Sequence, residues 1–516
     1  MGYTSEIKNY GEAQKDLLWS PPERYNFARD VIDKWAEDPE KLAIKWVDDF
    51  GYRQDLTFAQ LSARSRRLCN AFEAAGIKRG DTVVLVLGRN LEWWEILTAC
   101  IRMGVICSPG TTQLSPKDLS YRMNAAGATC FISDVENSEK MEKVAHECPT
   151  MRARILVDGE KGGWLCYEEI VQRQKDSFET VDTLFEEDAL CYFTSGTTGY
   201  PKMTIHNHGY GYAHQITGKY WLDLSPDDLH WNISDTGWAK AAYSSYFGPW
   251  NQGATLFVHH STTFAPIQSL KLLADNPVTT MCGAPTIYRM LVQQDLTSYS
   301  FPSLRHCVGA GEPLNPEVIE TWKKATGITV RDGYGQTETV LVCGNFPFLE
   351  PRFGSMGKPM PGIEMGIIDN AGKLLPVDTE GDIAIKVINK RAPGLFVDYR
   401  GDADRYDSCF IGDWYITGDR GYVDRDGYYW FVSRADDVIL SAGYRIGPFE
   451  VESALIEHPS VAESAVVASP DSTRGAVVKA FVVLAPGFEG SSQLVNELKE
   501  HVKNVTAPYK YPRKIE

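Results

Sequence analysis

A chain of 516 residues exceeds one ordinary domain, so about three structural units are expected, some of them fused into one body. Hydrophobic residues make up 43% and charged residues 23%, the proportions of a globular chain and not of a disordered or fibrous one. A formal charge of −16 excludes broad binding to nucleic acid or to an anionic membrane surface, since both need a concentrated positive field, and any nucleotide must be held by a local site.

The opening "MGYTSEIKNYGEAQKD" mixes acids and bases without an apolar run, the pattern of neither a secretory signal nor a transit peptide. Glu6 stands where a myristoylation signal needs Ser or Thr. No stretch approaches the length of uninterrupted apolar sequence that a membrane span requires. Eleven cysteines are scattered singly with no C-x-x-C pair, so they read as buried thiols in a reducing compartment, not as a zinc ribbon or disulfide framework. A cytoplasmic protein is expected, with homo-oligomerisation left open.

From Pro22 to Ile170 amphipathic helical stretches alternate with short β-branched runs. "DTVVLVLG" (81–88) and "ATCFISD" (128–134) read as buried strands, and "NLEWWEILTACIRMG" (90–104) as the helix between them. The α/β rhythm continues through "GATLFVHH" (253–260), "VTTMCGAP" (278–285) and "LRHCVGAGEPL" (304–314), each a strand running into a Gly- or Pro-rich turn, where such folds put ligand loops. After Arg352, "GIEMGIID", "GDIAIKV" and "DGYYWFVSR" predict a β-rich subdomain. A last unit then reads helix, strand, strand, helix, with the join near "RADDVIL" (434–440). The predicted fold class is therefore α/β: a large N-terminal domain of α/β sheets plus the β-rich subdomain, and a small mobile α+β C-terminal domain.

One stretch carries distinctive chemistry. "TSGTTGYPK" (194–202) follows the strand "ALCYF" and combines glycines that admit close backbone approach, hydroxyl donors and a lysine cation, the components of a phosphate site. It does not have the P-loop spacing G-x-x-x-x-G-K-[ST]. His206, His208, His259 and His260 have no metal-ligand partners at recognisable spacing and read as packing or surface residues.

The string resembles the phosphate-binding signature of the adenylate-forming superfamily, which holds the acyl-CoA synthetases, adenylation domains and luciferases. "GAGEPL" (309–314), "DGYGQTE" (332–338), "YITGD" (415–419), "SRADDVILSAGYRIGPFEVE" (433–452) and "APYKYPRK" (507–514) extend the match in order across nearly the whole chain. "NISDTGWAK" (232–240) with "SAGYRIGPFEVESALIEHPSV" is most similar to the medium-chain acyl-CoA synthetases.

The resemblance implies a reaction in which a carboxylic acid is activated by ATP to an acyl-adenylate and then transferred to CoA. It places Thr194, Ser195, Gly196, Thr197, Thr198, Gly199 and Lys202 on the triphosphate, Glu338 on Mg²⁺ and Thr337 on the α-phosphate. Adenine falls to Gly311, Glu312, Pro313, Asp332, Gly333 and Tyr334, continuing into Gly335 and Gln336. Ribose falls to Asp419, with Arg434 beside it. Lys202, Thr337 and Glu338 are the expected catalytic set, and Trp238 matches an acyl-pocket wall. Asp436 matches a hinge between domains 1–434 and 435–516. Ala442, Gly443, Tyr444, Arg445, Arg474, Lys503 and Tyr511 match CoA-contacting positions, Ala442 standing where relatives often carry Ser.

The family's C-terminal domain normally continues into a Thr-Gly-Lys-like turn whose lysine serves adenylation. The sequence stops at Glu516, so an incomplete C-terminal domain and impaired adenylation are expected. An ATP-dependent, AMP-forming acyl-CoA synthetase for a medium-chain or branched fatty acid is the leading expectation. The rivals are an aryl-CoA ligase, an adenylation domain feeding a carrier protein, and a non-catalytic binder of nucleotide or acyl-adenylate.

Overall fold

Five consecutive buried residues, Thr82–Val86, show no polar alternation, the pattern of a strand covered on both faces. They pair in parallel with Ile106–Gly110 on one side and Cys130–Ser133 on the other. The computed structural model describes residues 7, 9–16, 19–194, 201–435, 437–441, 444–471 and 474–516, and of residue 445 the backbone alone. Among these residues the sheet has eight strands, in the order Asp398–Tyr399, Lys202–Asn207, Asp188–Thr194, Ile106–Gly110, Thr82–Val86, Cys130–Ser133, Ala153–Leu156 and Leu165–Cys166.

The helix Leu91–Met103 buries Trp93, Trp94, Ile96 and Leu97 and stops at Gly104, whose φ of 69° suits glycine alone. Two of its charges are buried and both are paired. Glu95 accepts from Arg64 at 2.6 Å and from Tyr167 at 2.5 Å, and Arg102 donates to Asp33 at 2.7 Å.

Among the described residues a second sheet has nine strands. Six run parallel in the order Val330–Gly335, His306–Ala310, Thr280–Gly283, Leu229–Ile233, Thr255–His260 and Leu42–Asp48, and antiparallel edges are added by Leu341–Gly344, Lys358–Pro359 and Arg53–Thr57. Aligned parallel strands present all their C-terminal ends to one side, and α/β sheets take ligands in the crevice beyond those ends. The turns carrying "SDTGW", "GAGEP" and "YGQTE" all leave from there.

The β-rich subdomain is antiparallel: Met365–Ile368, Gly381–Lys386, Trp414–Val423 and Phe410–Ile411, with Tyr429–Arg434 paired to Trp414–Val423. One buried cluster runs from Val83 and Leu85 through Trp221 and Trp250 to Leu256, Val308 and Ile383, so the three sheets share a core. The last sheet is built only from residues beyond 438. Its core of Ile439, Val451, Leu455, Leu498 and Val502 is separate from the others.

In that C-terminal unit the expected helix, strand, strand, helix are Pro448–Ile456, Val461–Asp471, Gly475–Leu484 and Ser492–Val505. The hairpin Ile439–Ser441/Tyr444–Ile446 and the strand Lys514–Ile515 are additions that the sequence pattern did not signal. All eleven cysteines are free thiols and nine are buried, in keeping with the reading as packed thiols. Among the described residues no helix is long and apolar enough to cross a membrane.

Candidate active site

The stretch 194–202 spans a hairpin. Thr194, at the end of Asp188–Thr194, is opposite Lys202, at the start of Lys202–Asn207. Ser195, Gly196, Thr197, Thr198 and Gly199 lie outside the described residues. The Thr194 hydroxyl is buried and has no hydrogen-bond partner among the described residues, so a buried donor and acceptor waits at the root of the loop.

Lys202 Nζ lies 5.0 Å from the centroid of the Tyr399 ring. The Tyr399 hydroxyl in turn donates to Glu338 Oε1 at 2.6 Å, and the N–H of Phe396 donates to the main-chain carbonyl of Glu338 at 2.7 Å. Three distant segments thus bring a lysine, a tyrosine and a carboxylate together. Burial and the charge of Arg405, on the helix Ala403–Ser408, hold the Lys202 ammonium below its usual pKa, and Glu338 opposes them. Lys202, Arg405 and Arg434 gathered about Glu338 form a site that a polyanion would relieve.

The strand Val330–Gly335 carries the nucleoside side of the motif. Asp419, 6% exposed on Trp414–Val423, accepts from Tyr334 at 2.5 Å and from Gln336 at 2.7 Å. Gln336 also donates to the Thr417 carbonyl at 2.8 Å, and Arg434 is the cross-strand neighbour of Asp419. Burial pushes the Asp419 carboxyl up, while Tyr334, Arg434 and Gln336 draw it back.

The backbone of the motif is pinned from below. His206 Nε2 lies 2.7 Å from the Thr337 carbonyl, which can only accept, so this nitrogen carries the proton. The Gln336 carbonyl accepts from Tyr243 at 2.7 Å. Burial lowers His206 to about 4, which keeps the ring neutral.

The motif's glycines answer to packing. A Cβ on Gly333 would fall 2.6 Å from the Trp221 indole, and one on Gly335 would fall 2.7 Å from the Val340 carbonyl oxygen. Asp332 accepts from the N–H of Gly333 at 2.9 Å and from that of Leu314 at 3.4 Å, and burial pushes its carboxyl up to about 8. Gly311 (φ 110°), Glu312 and Pro313 form the turn after His306–Ala310. The Glu312 carboxylate accepts from Thr286 and Arg289, each at 2.8 Å.

Trp238, matched to an acyl-pocket wall, is 57% exposed. Its loop is nonetheless tightly placed: Asp235 accepts from Thr111 at 3.1 Å, Thr236 donates to the Leu87 carbonyl at 2.6 Å, and a Cβ on Gly237 would meet Thr111 N at 2.1 Å. Lys240, two residues further on, donates to the Ala310 carbonyl at 2.7 Å and so ties this loop to the Gly311 turn.

Among the CoA-matched positions, Ala442 and Gly443 lie outside the described residues, as does the hinge position Asp436, and Arg445 is described only as backbone in Tyr444–Ile446. Tyr444, 51% exposed, stacks on Tyr509 with centroids 4.4 Å apart. Lys503 Nζ lies 4.4 Å from the Tyr511 ring and bonds Glu500 at 2.6 Å, and the Arg474 N–H caps onto Asp471 at 2.9 Å. Lys503 and Tyr511 are therefore in contact.

Sequence reading missed Tyr399, Tyr243, Lys240 and Arg405 as site residues, and read His206 as a packing or surface residue. Tyr399, Tyr243 and Arg405 belong to none of the quoted motifs, and Lys240, which ends "NISDTGWAK", has no spacing that connects it to Ala310, so their roles depend on long-range contacts.

Comparison with known proteins gives a consistent result. A family model described as "AMP-binding enzyme" matches residues 32–389, and one described as "AMP-binding enzyme C-terminal domain" matches 450–516. The chain is 49% identical to human mitochondrial acyl-coenzyme A synthetase ACSM3, over 99% of this chain and 89% of that protein. It is 48% identical to the rat mitochondrial acyl-coenzyme A synthetase ACSM4, over 96% and 87%. Among solved structures, the anthranilate CoA ligase AuaEII in complex with anthranoyl-AMP superposes with a TM-score of 0.89 at 29% identity, covering 98% of this chain and 94% of that one. The Brucella canis acyl-CoA synthetase superposes with a TM-score of 0.78 at 34% identity, covering 100% and 94%. The expectation of impaired adenylation gains no support here, because the C-terminal-domain match is present.

Proposed function

Because the chain belongs to the AMP-binding enzyme family, we propose that it is an AMP-forming acyl-CoA synthetase whose acid is a medium-chain or branched fatty acid. The observation that carries this reading is the convergence of Lys202, Glu338 and the Asp419–Tyr334–Gln336 network on one side of the crevice.

The acid is already ionised near neutral pH, so its oxygen attacks the α-phosphorus of ATP without a general base, and pyrophosphate leaves with the bonding electrons. In the second step the CoA sulfur attacks the acyl carbon, AMP leaves with its electron pair, and the thiol proton passes to solvent. Thr194, Lys202 and the loop 195–199 grip the triphosphate, with Thr337 at the α-phosphate. Asp419 accepts from the ribose hydroxyls, with Arg434 beside it, adenine lies against 311–313 and 332–334, and Gly335 and Gln336 complete the nucleotide site. Trp238 borders the acid. Residues 443–445, Arg474, Lys503 and Tyr511 meet CoA after the domain 435–516 turns on Asp436 against 1–434.

Mg²⁺ usually binds through one or two carboxylates and completes its shell with substrate phosphates and water. The donor set here fits: Glu338 would supply one carboxylate, and Thr194 has a buried hydroxyl without a partner among the described residues. When bound, the ion neutralises charge on the phosphates.

Acid-dependent exchange of labelled pyrophosphate into ATP tests the reading. Exchange stimulated by hexanoate and lost in Glu338→Gln is expected, and exchange indifferent to any acid contradicts it. A cytoplasmic location belongs to the same proposal. The relatives above are named as mitochondrial, and fractionation of expressing cells distinguishes the two.

A further inference from the structure

The geometry points to Tyr399 as the positioning residue that holds Glu338 ready for a divalent cation, an assignment that rests on reading Glu338 as the metal ligand. Tyr399 is buried on the short strand Asp398–Tyr399, opposite Thr204 of Lys202–Asn207, which sets its ring beside Lys202. The same short segment grips Glu338 at both ends. Phe396 donates to its carbonyl at 2.7 Å, and the Tyr399 hydroxyl donates to Oε1 at 2.6 Å. The Phe396 and Tyr399 rings pack at 4.6 Å, and Phe396 packs on Tyr415 at 5.8 Å, so the clamp is anchored in the core.

A glutamate loses rotamer freedom when it takes up a cation, and a hydrogen bond to one oxygen fixes the side chain beforehand while the other oxygen stays available. The ring face meanwhile supports the Lys202 ammonium. One residue therefore sets both the cation ligand and the lysine at the root of the phosphate loop.

Tyr399→Phe removes only the hydroxyl. Mn²⁺ binding is followed by electron paramagnetic resonance with α,β-methylene-ATP present, which needs no turnover, and Tm is recorded beside it. The dissociation constant of Mn²⁺ is expected to rise about 10- to 100-fold, the usual effect of losing a partner that orients a metal ligand. Thioester formation from supplied acyl-adenylate and CoA, a step that involves no triphosphate, is expected to keep its rate.

Unchanged Mn²⁺ affinity in Tyr399→Phe, with Glu338→Gln weakened, overturns the assignment of Tyr399. Unchanged affinity in Glu338→Gln overturns instead the reading of Glu338 on which it rests. A parallel loss of thioester formation in Tyr399→Phe marks a merely structural role and also overturns the assignment.

Discussion

Asp419 is a carboxylate buried beside two neutral donors, Tyr334 and Gln336, with a single arginine opposite it. Its replacement by Asn keeps the shape and removes the charge-assisted bonds to a ribose diol. Asp419→Asn should weaken AMP binding by about 1.5–3 kcal/mol, measured by titration calorimetry, and an unchanged affinity would place the ribose elsewhere. Asp332 makes a different prediction. Its folded carboxyl sits at about 8, above the unfolded value of 3.8, so the fold binds the proton more tightly than the unfolded chain does. Its contribution to stability is full below pH 3.8, falls as pH rises and is gone above pH 8. Asp332→Asn fixes the neutral form, so the variant should gain stability relative to the parent between pH 5 and 9 in thermal melts. A constant difference across that range would show the group ionised throughout. The ordered blocks from "TSGTTGYPK" to "YITGD" made the residues of this site legible in the sequence, because each block is local. Tyr399 was not legible: it lies 61 residues from Glu338, and a lone tyrosine in "FVDYR" has no spacing that connects it to a carboxylate.

At the scale of elements, strands were readable where burial on both faces produced an apolar run, as in Thr82–Val86 and the Leu256–Val258 centre of Thr255–His260. The hairpin Ile439–Ser441/Tyr444–Ile446 was not, since three-residue strands are too short to establish a period. Trp238 shows a related limit: the motif located its loop, while its exposure depends on neighbours contributed by other strands. That loop rests on a glycine. A methyl on Gly237 would press on the Thr111 main chain at 2.1 Å, and backbone cannot swing aside as a side chain can. Gly237→Ala should cost about 1–3 kcal/mol of stability and raise the KM for the acid more than that for ATP. Equal KM values in variant and parent would separate this loop from acid binding.

The whole molecule divides its labour between a body in which three sheets share one core and a C-terminal sheet with a core of its own. Separate cores permit rotation of one body on the other, and the proposed pivot is Asp436. Proline there fixes φ and removes an N–H donor, so Asp436→Pro should slow one half-reaction at least ten-fold, roughly, while sparing the other. Equal effects on both would argue against alternation between two domain arrangements.

The central claim is that this crevice makes an acyl-adenylate and passes the acyl group to CoA. The direct test supplies ATP, Mg²⁺ and CoA with acids from acetate to dodecanoate and with benzoate, beside a synthetic acyl-adenylate control, and follows pyrophosphate and thioester together. Release of both products, with a maximum at medium chain length, is the predicted result. Absence of pyrophosphate with every acid, together with absence of thioester from the supplied adenylate, would contradict it.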